Sequence, residues 1–91
     1  MHGLLVSPEG SVSVSPSVSN GLSGLDYNSK CTASGGLNNE FTWTYIRNND
    51  RKSNTFGLNI FSARAHDGGD YECLVSNPAG NESDIFTLNS E

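Results

Sequence analysis

The chain has 91 residues, 34% of them hydrophobic, and a formal net charge of −5. That length fits one small domain, and five basic residues against ten acids leave little with which to neutralise phosphates. Nucleic acid and anionic membrane surfaces are therefore not expected as partners, and no run approaches the roughly 20 apolar residues of a membrane-spanning helix.

The opening, MHGLLVSPEG, has neither the basic n-region nor the apolar h-region of a signal peptide. Residues 1–9 read as a tail or linker, and the domain is expected over 10–90. Were the domain extracellular, the chain would be a segment of a longer one with neighbouring domains.

Beyond the tail, helical periodicity is almost absent and short runs alternate apolar with polar, the strand signature. In GSVSVSPSVSNG, Val12, Val14, Pro16 and Val18 take one face and the serines the other. Pro16 cannot donate to a ladder, so this is an edge strand, bent or switched between sheets at that point. GLDYNSKCTA places Leu25, Tyr27, Ser29, Cys31 and Ala33 in phase, and GGLNN follows as a turn. EFTWTYI puts Phe41, Trp43 and Tyr45 on one side and Thr42, Thr44 and Ile46 on the other. RNNDRKSN, the one basic cluster, is interrupted by Asp50 and reads as a solvated loop with room for one short edge strand. TFGLNIF carries Phe56, Leu58 and Ile60 in phase, and DYECLVS carries Tyr71, Cys73 and Val75. NPAGNES is read as a turn and DIFTLNS as the last strand, with Phe86 and Leu88 inward and Ile85 and Thr87 outward. Seven to eight short strands with turns every 8–12 residues or so predict an all-β sandwich of two antiparallel sheets.

Two cysteines permit one intramolecular pairing, between positions 42 apart. In the chain-entropy model such a link contributes roughly 4 kcal/mol, comparable to the net stability of a small domain, and it would imply an oxidising compartment.

Cys31, Trp43 and Cys73 fall on three separate predicted strands, each on the apolar face, and DGGDYEC places Tyr71 two residues before the second Cys. LNIFSARAHDGGDYECLVSNPAG resembles the corresponding stretch of immunoglobulin superfamily domains of the intermediate and constant-2 sets. Leu58, Ile60, Asp67, Gly69, Tyr71, Cys73, Asn77 and Gly80 fall on that pattern. Ala63 and Ser29 depart from it, standing where larger aliphatics are usual. The resemblance implies a Greek-key sandwich with a Cys31–Cys73 bridge, Trp43 packed on it, and a tyrosine corner at Tyr71. It also implies an ion pair between Asp67 and a basic residue, Arg51 or Lys52 ahead of Arg64. Fourteen residues separate Trp43 from Leu58, too few for the two extra strands of a variable-type domain, which need about 15–20 more.

Catalytic chemistry finds no support. His66 and Asp67 are adjacent on an extended or turning chain and point apart, whereas a triad needs an oriented base beside its nucleophile. Asp67 and Asp70 lack the dense acidic run of a calcium loop, and with both cysteines in a bridge His2 and His66 cannot make a zinc site. No cofactor is implied. Asn81-Glu82-Ser83 is an N-glycosylation sequon. The outward positions around Trp43 and Cys73 hold Thr42, Thr44, Ile46, Glu72, Leu74, Ser76 and Ile85. Among these, Ile46, Leu74 and Ile85, with Thr44, form the candidate binding face. The resemblance implies a non-catalytic module of a cell-surface receptor or adhesion protein, meeting a protein partner, homophilic or heterophilic, through that sheet. The alternative is an intracellular muscle-filament domain acting as an elastic spacer.

Overall fold

The computed structural model describes residues 12–21 and 24–90; the expected tail at 1–9, with His2, lies outside them. Among the described residues, eight strands form two sheets. β1 (Val12–Ser15), β3 (Tyr27–Ala33) and β6 (Gly57–Ile60) make a three-stranded sheet in the order β1-β3-β6. The second has five strands in the order β2-β8-β7-β4-β5, built from β2 (Val18–Gly21), β4 (Glu40–Tyr45), β5 (Asp50–Ser53), β7 (Gly69–Asn77) and β8 (Gly80–Ser90). The only helical piece among the described residues is a 3₁₀ turn, Ala65–Asp67.

The Val/Ser run is divided between the sheets. β1 pairs with β3 and β2 with β8, and a cis Ser15–Pro16 peptide stands between them. The described sheets are antiparallel except for this β2–β8 edge, which is parallel. The chain leaves β1 without reversing, so β2 keeps its direction and meets β8 running the same way. Pro16 gives up its ladder role but not its carbonyl. The buried Ser29 hydroxyl donates to that carbonyl at 2.7 Å, which explains a polar residue at an inward position of β3.

Alternation sets the core. Val14, Cys31, Trp43, Tyr45, Leu58, Ile60, Ala63, Tyr71, Cys73, Val75, Phe86 and Leu88 are buried between the layers. Leu25 and Phe56, in phase with inward residues in the sequence, lie outside the strands and are half exposed. Phe56 still serves the core through its backbone: its carbonyl accepts from the Trp43 indole at 3.1 Å and the Cys31 N–H at 2.8 Å. The last hairpin is tighter than the sequence suggests. β8 begins at Gly80, so only Pro78 and Ala79 turn the chain, and the Asn77 side-chain oxygen accepts the N–H groups of Ala79 and Gly80. Such side-chain mimicry of a backbone turn is what Asn offers there.

Asp84 is paired across from Cys73 and so stands in the inward phase of β8. Its Oδ2 accepts the Val14 N–H of β1 at 3.0 Å, tying the two sheets at their margin.

Candidate recognition face

Two pins hold the sandwich rigid beneath its outer surface. The first is covalent. Cys31 of β3 and Cys73 of β7 are bonded, with Cα atoms 6.4 Å apart, and both are buried beside the fully buried Trp43. The second is a pair of tyrosines clamped on the 3₁₀ turn. Tyr71 donates its hydroxyl to the Asp67 carbonyl, and Tyr45 donates to the carbonyls of Gly68 and His66. Their rings lie 4.7 Å apart, centroid to centroid. Burial raises the Tyr71 phenol well above the ordinary tyrosine range, and the Asp67 charge adds to the rise.

Gly69 is required by this arrangement. Its φ is +135°, and a Cβ there would stand 3.1 Å from Tyr45 Cε1 and 3.2 Å from its hydroxyl oxygen. The alternation Asp67, Gly69, Tyr71, Cys73 is therefore a device for anchoring. It comprises a carbonyl that accepts a tyrosine, a gap for a second tyrosine ring, the first tyrosine, and the bridge.

The expected ion pair between Asp67 and Arg51 does not form. A bulge lies between Trp43 and Thr44 in the β4–β5 pairing, and Arg51 pairs across from the outward-facing Thr44. That register sends Arg51 to the outer face, away from the turn. Lys52, exposed, lies on the Tyr45 side instead, its ammonium 5.9 Å from the ring centroid, and pairs with Asp50 at 3.0 Å. Asp67 spends its carboxylate locally: Oδ2 accepts the Arg64 N–H at 2.8 Å, and Oδ1 is 3.7 Å from His66 Nε2.

The outer face of the five-stranded sheet follows from the register. Across β4, β7 and β8 the outward rows are Thr42–Leu74–Ser83 and Thr44–Glu72–Ile85, continued by Asp70–Thr87, with Ile46 just past the end of β4. Leu74 and Ile85 are diagonal neighbours on adjacent strands, so roughly 7–8 Å separates their Cα atoms. Ile46 stands apart, its N–H bonded to the Asp70 carbonyl, with Thr44 between it and Leu74 along the row direction. Leu74, Ile85 and Thr44 are half-buried, whereas Ile46 is about half exposed. Thr42, Thr44, Asn49, Arg51, Glu72 and Leu74 line a shallow hollow. A second hollow at the other end is lined by Ile46, Arg47, Asp70, Thr87 and Asn89 among others. The Thr87 hydroxyl closes on Asp70 Oδ1 at 2.8 Å. Asn81, the sequon asparagine, is exposed on β8 across from Ser76.

Three residues carry more than their sequence context assigns. Tyr45 has the inward phase of Trp43, but nothing local says that its hydroxyl reaches the turn 20-odd residues on. Asp84 shares the phase of Phe86 and Leu88, a charged residue at an inward position, which is the signal that it serves a backbone group. Arg51 belongs to the outer face only because of the bulge. Among the described residues no cluster of His, Cys, Asp and Glu could hold a metal ion.

The profile of the family described as "Immunoglobulin domain" matches residues 3–84, and the chain belongs to that family. No curated protein matches it. Among solved structures it is similar to Dscam1 isoform 8.4, N-terminal four Ig domains, at TM-score 0.79 and 18% identity over 94% of this chain and 21% of that one. It is similar also to the structure of Dpr11 IG1 bound to DIP-gamma IG+IG2, at TM-score 0.70 and 20% identity, covering 85% of this chain and 100% of that one. The chain spans about a fifth of the Dscam1 chains it matches. At these identities the likeness establishes the sandwich.

Proposed function

We propose that the chain is a non-catalytic recognition module of an extracellular adhesion protein or receptor, and that its outer five-stranded face docks a second immunoglobulin-type domain. The observation carrying this reading is the face itself: half-buried Leu74 and Ile85 amid Thr42, Thr44, Glu72 and Arg51, on a sheet pinned from behind. The five strands together hold 34 residues, which at about 3.4 Å rise and about 4.8 Å spacing give a face of roughly 550 Å², the size of a weak, transient interface and below the ~800 Å² per partner of a standard one. Mixed charge, with Glu72 and Arg51 lining one hollow and Asp70 and Arg47 the other, suits orientation of a partner more than raw affinity. The cross-link is consistent with an oxidising compartment, and one structural neighbour was solved bound to another immunoglobulin protein.

Leu74→Asp places a charge at the centre of this face while leaving the core untouched. We expect it to abolish self-association in sedimentation velocity, or capture of immunoglobulin-type domains displayed on cells, while the thermal melt stays cooperative and its midpoint falls by less than about 10 °C. Binding that survives the substitution rules the face out. A thiol titration of protein from its native cells tests the compartment: two free thiols would favour the intracellular spacer.

A further inference from the structure

We propose that Asn81 carries an N-linked oligosaccharide which covers the Leu74 end of the recognition face, so that its occupancy gates docking there. The proposal rests on the extracellular reading given above, because only the secretory route supplies the lipid-linked oligosaccharide donor. Asn81-Glu82-Ser83 fits the acceptor pattern, with Glu rather than Pro in the middle. The fold presents it well. Asn81 is exposed and is the second residue of β8, one past the Gly80 that ends the tight turn. Its amide makes no hydrogen bond among the described residues, whereas nearby Asn77 and Asn39 bond each other at 3.0 Å.

In the transfer step the Asn81 Nδ2 gives up one proton to base and forms a C–N bond to the anomeric carbon of the sugar. The C–O bond to the lipid pyrophosphate breaks, and the pyrophosphate leaves with the electron pair.

Register decides what the glycan covers. Asn81 pairs with Ser76 and Leu74 with Ser83, so Asn81 and Leu74 are diagonal neighbours on the same outer face, roughly 7–8 Å apart. The first sugars therefore lie over Leu74 and the hollow beside it. Thr87, level with Ile46, is six residues further along β8, about 20 Å away at strand spacing. A partner that needs Leu74 therefore docks on chains whose Asn81 is unoccupied, while the hollow of Ile46, Arg47, Asp70 and Thr87 stays open in both forms.

The test uses the chain secreted from animal cells. Intact mass is expected to show a glycoform that peptide N-glycosidase removes, leaving Asp at position 81. Asn81→Gln and Ser83→Ala should abolish it, and Ser83→Thr should retain it. Hydroxyl-radical footprinting before and after enzymatic removal should then show labelling of Leu74 rising severalfold while Ile46 and Phe61 stay constant. Secreted protein lacking the sugar overturns the proposal, as does a Leu74 footprint indifferent to its removal. Both readouts are independent of partner binding, so they can fail or succeed separately from the Leu74→Asp test.

Discussion

Replacing Tyr45 or Tyr71 by Phe removes one hydroxyl and almost no volume, so the loss isolates the hydrogen bonds that hold the 3₁₀ turn. Tyr45→Phe strips the donor from the buried Gly68 carbonyl and from that of His66; Tyr71→Phe strips it from the Asp67 carbonyl. Leaving a buried acceptor unpaired costs about 1–3 kcal/mol. For a domain whose total stability is about 5–15 kcal/mol, each change should lower the melting temperature by roughly 5–20 °C. The two hydroxyls grip one short segment, and their rings are 4.7 Å apart. Once either lets go the turn loosens, so the second loss costs less. The double variant should fall short of the sum of the singles by at least about 0.5 kcal/mol. Urea unfolding followed by the fluorescence of Trp43, the chain's single tryptophan and fully buried, measures all four corners of the cycle. Single variants within about 0.5 kcal/mol of the parent, or strict additivity, would refute the idea of a shared clamp.

Gly69→Ala should destabilise by about 1–3 kcal/mol, since it combines an unfavourable backbone conformation with a Cβ 3.1 Å from a ring that cannot move aside; a thermal melt equal to the parent's would contradict this. Replacing Cys31 and Cys73 together by Ala should cost roughly 4 kcal/mol in the chain-entropy model, read from urea midpoints. Stability should also fall as the solution becomes alkaline. Burial, then the Asp67 charge, raises the folded Tyr71 phenol above the ordinary tyrosine value of 10.0, so above about pH 10 the unfolded chain releases a proton that the folded chain retains. The stabilisation is fully present below that pH and is lost above it, and Tyr71→Phe should flatten this limb of the urea-midpoint profile.

The inward set of Trp43, Tyr71, Cys73, Phe86 and Leu88 was readable from the chain because alternation is a local property: a period of two assigns each side chain to a face whichever strand lies next door. The sandwich class followed from that period together with the spacing of Cys31, Trp43 and Cys73. The destination of Arg51 was not readable, because one bulge in β5 exchanges the faces of Arg51 and Lys52, and a bulge exists only in relation to the partner strand. The same holds for Tyr45 reaching Gly68, for Asp84 accepting the Val14 N–H, for the parallel β2–β8 edge, and for Asn81 standing diagonal to Leu74. All but the last are relations between segments distant in sequence, and the last hangs on where the β7–β8 turn closes. Side-chain phase is written residue by residue, whereas register, and therefore neighbourhood on a surface, is fixed only when the strands pair and the two layers close on a common core.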